Sequence, residues 1–101
     1  MNYAIFKASA AILEARLAEA SVRRAQSEAD IAAELGVASR GSMNLIAEAI
    51  RIHPDYRAAM LAEAGAFQAL RRFNGMHAKH FSKEIRGDIE AKRRAKLQAY
   101  V

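Results

Sequence analysis

The chain has 101 residues, a formal net charge of +5 and 52% hydrophobic residues. That length allows one domain with a modest core, and that hydrophobic content excludes a disordered chain. With no cysteine, disulfides and thiolate metal sites are excluded.

No apolar run reaches membrane-spanning length, and the start MNYAIFKAS lacks the basic opening and long apolar centre of a signal peptide. A cytoplasmic protein with no membrane partner is therefore expected. Pro54 is the one proline, and no stretch alternates β-branched residues. The composition predicts an all-α fold, a small bundle of about five helices.

The first helix is marked by Tyr3, Phe6, Ala10, Leu13, Leu17 and Ala20, which recur at steps of three and four. They define one apolar side, widened by Ile5 and Ile12. This side serves either packing within the chain or, through its coiled-coil spacing, a dimer seam. The helix is expected to end near Arg23–Gln26. Ser27, with Asp30 three residues on, reads as the cap of a second helix.

Residues 28–46, EADIAAELGVASRGSMNLI, read as a short helix, a tight turn at Gly36 and a further helix with a polar entry. Ile31 and Leu35 share a face suited to the core. Ala32 permits close helix crossing. Gly36 ends the helix in a left-handed conformation, and Val37 fills the corner. Ser39 or Ser42 can cap the next helix, whose apolar back is Met43, Ile46, Ala47 and Ile50.

The words DIAAELGV and SRGSMNLI resemble the helix-turn-helix family of phage, plasmid and bacterial regulators. The resemblance covers about residues 28–46, and the helix-turn-helix would extend over about 28–50. The family pattern runs from the turn glycine through one apolar residue to Ser-Arg. Here Ala38 is inserted, a turn one residue longer. The resemblance implies DNA bases read from the start of the second helix, which by position means Ser39, Arg40, Ser42 and Asn44.

His53-Pro54-Asp55 marks another helix start, with proline at the first position and an acid at the positive helix end. Its apolar side is Tyr56, Met60, Ala64, Phe67 and Leu70, with Phe73 near the close, and Asn74-Gly75 is a stop signal. Met76–Phe81 reads as a linker. Ser82 caps a final helix whose apolar side, Ile85, Ile89 and Leu97, is thin. Residues 1–75 thus form a helical core and 76–101 a basic C-terminal helix, in the same domain or as an oligomerisation arm.

Charge concentrates in that last segment: seven basic and three acidic residues against four and five in residues 1–36. A basic helix favours phosphate through counterion release. Lys83, Arg86, Lys92, Arg93, Arg94 and Lys96, together with Arg51, are the candidate phosphate contacts. His77, His80 and Glu84 have steps that could grip zinc, but they straddle a linker and lack a fourth ligand. No metal, cofactor or catalytic residue is assigned, and no enzyme activity is expected.

The resulting expectation is a sequence-specific protein for double-stranded DNA, a small transcriptional regulator acting as a homodimer or higher homo-oligomer. The alternatives are a DNA-packaging subunit similar to phage small terminases, and a helical protein-interaction or inhibitor protein that does not bind DNA.

Overall fold

A computed structural model describes residues 1–100. Helix α1 runs unbroken from Tyr3 to Leu35, α2 is a single turn over Glu48–Arg51, α3 spans Pro54–His77, and α4 spans Ser82–Gln98. Two 3₁₀ segments, Ser42–Asn44 and Ala78–Phe81, complete the regular structure. The fold is all-α. Three helices exceed one turn, however, where about five were expected.

The difference begins in α1. Eleven of its 33 residues are alanine, and no proline or glycine interrupts them. High propensity across Arg23–Gln26 outweighs the weak cap signal at Ser27. The helix starts at Asn2, whose Oδ1 accepts from the Ile5 N–H at 2.9 Å. It stops at Gly36, which lies at φ 66° and ψ 32°, with the Ala32 and Ala33 carbonyls accepting across the end. That is the glycine-closed helix end expected from the sequence.

The helix expected over Ser42–Ile50 does not form. Met43 and Asn44 take left-handed φ of 60° and 58°. Leu45 and Ala47 are extended. The segment folds on itself instead. Gly41 N–H donates to Leu45 O at 2.8 Å, Ala47 N–H donates to Ser39 O at 3.1 Å, and Arg40 bridges Ile46. Gly41, Ser42 and Asn44 are poor helix formers, and Asn tolerates the left-handed region.

Of the expected apolar back, Ile50 is fully buried, Ile46 and Ala47 are half-buried, and Met43 projects into solvent at 91% exposure. Leu35 and Val37, expected in the core, are also exposed. Without a second helix crossing it, the corner has nothing to cover them.

Helices α1 and α3 pack as an antiparallel hairpin. One end is closed by Ile31, Ala32, Ile50 and Tyr56. The middle is pinned by Arg24 Nε on Glu63 Oε1 at 2.9 Å, a pair about three-quarters buried. Hydrogen bonds from Ser21 and Arg24 hold the Glu63 carboxyl below its ordinary range.

At the start of α3, Pro54 sits in the first turn and the His53 ring accepts from the Asp55 N–H, as the sequence indicates. Asn74-Gly75 does not end α3, which continues to His77 and passes through a 3₁₀ turn into α4. The Ser82 hydroxyl makes no cap and donates to Lys79 O at 2.9 Å.

Candidate nucleic-acid interface

Helix α4 is fixed over its first two turns and free beyond Asp88. Beneath it lies an aromatic cluster. Phe6 stacks on Phe73 at 5.6 Å and on Phe81 at 5.0 Å, and Tyr3 leans on Phe81 at 5.7 Å. The His77 ring tilts against Phe73 at 4.8 Å.

Above the cluster, the Tyr3 hydroxyl donates to Asp88 Oδ2 at 2.6 Å and Lys7 Nζ lies 3.0 Å from the same oxygen. Beyond Asp88, every residue of α4 is exposed. The helix therefore projects past its anchor with its cations in solvent.

The anchor also shapes the charge. Asp88 is neutralised from the α1 side. Lys83, Arg86, Arg93 and Arg94 share another sector of α4, at helical steps, with Glu90 as the acid among them. Among the described residues, none of these cations, nor Lys92 or Lys96, forms an ion pair. With Asp88 tied off, and only Glu84 and Glu90 as further acids, six unpaired cations leave α4 with a net positive surface.

The Tyr3–Asp88 tie has a definite pH window. Its hydrogen bond to Asp88 pushes the Tyr3 hydroxyl up to about 12. The bond from Tyr3, and then Lys7, holds the Asp88 carboxyl below its usual range. The raised phenol stabilises docking below its ordinary pKa of 10.0 and loses that effect as pH rises toward 12. The depressed carboxyl contributes above its ordinary 3.8 and loses its effect on acidification through its folded value. Docking of α4 is thus strongest between those limits. Asp88→Asn should return one phenol titration, absent in Tyr3→Phe, to the ordinary range in alkaline difference spectra. An unchanged titration would break the assignment.

The four residues carried over as base readers lie together in the loop between α1 and α2, not on an α-helix; Ser42 and Asn44 bound its short 3₁₀ segment. Ser39 is half-buried, while Ser42 and Asn44 are exposed. Arg40 folds back on its own chain: Nε lies 2.8 Å from Glu28 Oε1, and Nη1 donates to Asn44 O at 3.2 Å. The contact to Glu28 is close but off the N–H axis, so that buried oxygen gains charge compensation without an aligned hydrogen bond. Arg51 pairs loosely with Glu48 at 3.4 Å on the same end of the molecule.

This loop and α4 are far apart within one chain. The loop follows the C-terminal end of α1, whereas α4 is rooted at its N-terminal end, roughly 50 Å away at 1.5 Å per residue. The structure brings the four loop residues together and six of the basic residues together, but not the two groups.

Two features escaped the sequence reading. The aromatic anchor joins Tyr3 and Phe6 to Phe73 and Phe81, and only the clustering of aromatics at both chain regions hinted at it. The second is an outer side of α1 made of alanines. No described protein family, characterised protein or solved structure matches the chain. No helix among the described residues is long and apolar enough to cross a membrane.

Proposed function

We propose that the protein binds double-stranded DNA, as a small regulator of a phage, plasmid or bacterium. The observation that carries this reading is the projecting α4, whose six cations form no ion pair among the described residues while Asp88 is tied to α1. In this reading α4 contacts phosphates and sets affinity. Base preference falls to the exposed Ser42 and Asn44 on the loop, and Arg40 supports that loop through Glu28.

Titration of a labelled duplex tests it. Affinity should fall by about 10³-fold between 50 and 200 mM salt if about six phosphates are neutralised. Absence of duplex binding at low salt overturns the proposal.

A further inference from the structure

The hairpin leaves one side of α1 uncovered. Ile5, Ile12 and Val22 are 52%, 55% and 67% exposed there. Beside them runs a register that alternates steps of four and three from Ala4 to Ala29, alanine at every position but Val22. All eight positions are exposed. This is a heptad seam over more than three repeats. It is separate from the Tyr3–Phe6–Leu13–Leu17 side, which the structure uses against α3.

The chain's surface is large enough to leave a face for a partner. The chain exposes 7822 Å², whereas a compact monomer of its mass exposes about 5,700 Å². The excess, roughly 2,000 Å², exceeds the ~800 Å² each partner gives to a stable interface. The radius of gyration is 18.8 Å, against about 13 Å for a compact chain of this length.

We infer that α1 pairs with α1 of a second copy along the alanine seam, antiparallel, as a two-fold dimer. Charge sets the direction. Residues 1–18 carry two cations and one anion, and residues 19–35 carry two cations and four anions. Antiparallel pairing sets the positive half on the negative half. Parallel pairing would set Glu14, flanking the seam, against Glu19 of the partner on both sides. Alanine lets the backbones approach closely.

The antiparallel pairing has a consequence for DNA, which rests on the reading above. Overlap of the full seam brings the loop after α1 in one chain to the end of the dimer where α4 of the other is rooted. The interface is then completed between two chains: base-facing loop from one, phosphate-facing helix from its partner.

The test needs no DNA. Sedimentation of the full chain should give about 22 kDa, twice its 11.1 kDa. Ala15→Glu with Ala18→Glu, two exposed positions beside the two-fold axis, should raise the dissociation constant roughly a hundredfold or more by burying unpaired carboxylates. Far-UV circular dichroism should keep the wild-type helicity.

Ala11→Cys with Val22→Cys should crosslink chains under mild oxidation. Val22→Cys alone should not, its two sulfurs being about 16 Å apart along the pair. A monomer across the micromolar range, or an oligomer indifferent to the two glutamates, overturns the pairing. Efficient crosslinking by Val22→Cys alone overturns the antiparallel direction and with it the shared interface. Loss of DNA binding in a protein that still dimerises would strike the functional reading alone.

Discussion

Phe6→Ala is expected to destabilise the protein by about 3–5 kcal/mol and to release α4 before the rest of the hairpin opens. Phe6 is 5% exposed, and it is the one ring that stacks on Tyr3, Phe73 and Phe81 together. Removing it takes away the floor on which the Tyr3–Asp88 bond stands.

The loss is large relative to the whole. A small domain is held by about 5–15 kcal/mol, and among the described residues only Phe6, Ile31, Ala32, Ile50 and Tyr56 are buried. No second layer compensates. Denaturant unfolding at fixed protein concentration measures the effect, because a dimer's apparent stability depends on concentration. Hydrogen exchange should show α4 amides opening first. A variant within 1 kcal/mol of wild type would mean that the cluster does not hold α4.

What was legible in the sequence was whatever a single residue type decides locally. Gly36 ends α1 because a left-handed residue is needed there. His53-Pro54-Asp55 opens α3 because proline lacks the N–H that a first turn cannot use. What was not legible depended on competition between signals. Ser27 is a good cap in isolation, yet the alanine-rich chain around it keeps the helix running. Asn74-Gly75 is a good stop in isolation, yet the helix runs on to His77.

The segment after Gly36 failed for a different reason. Met43, Ile46, Ala47 and Ile50 do have helical spacing, but spacing states only which residues would share a face if a helix formed. Gly41, Ser42 and Asn44 make the helix costly, and cross-loop bonds such as Gly41 N–H to Leu45 O offer the backbone another arrangement. The four candidate readers therefore lie close together, but on a loop rather than the expected α-helix. The basic helix was easier to recognise, because charge accumulates along the chain whatever the tertiary packing. Its anchor was harder: Tyr3 and Asp88 are 85 residues apart.

Replacing Arg86, Arg93 and Arg94 by glutamine should weaken duplex binding for every sequence alike and leave base preference intact. Each arginine that meets a phosphate contributes about 0.9 to the slope of log affinity against log salt, so the slope should flatten by up to about 2.7. All three side chains are exposed and unpaired among the described residues, so the fold should persist and the melting temperature should barely move.

Arg40→Ala makes the opposite test. Its guanidinium is the charge beside Glu28, whose side chain is only 13% exposed. Removing it leaves a largely buried carboxylate without compensation, at a cost of about 1–3 kcal/mol. Stability should fall while the slope stays the same. If Arg40 instead leaves Glu28 to grip a base, its removal would cut discrimination at one position by about 1–3 kcal/mol. Selection from random duplexes with both variants separates these outcomes. Affinity carried by α4 and loop order carried by Arg40 predict a flattened slope in one protein and a lowered melting point in the other. An unchanged slope in the triple variant would leave α4 as solvated surface and remove the observation on which DNA binding rests.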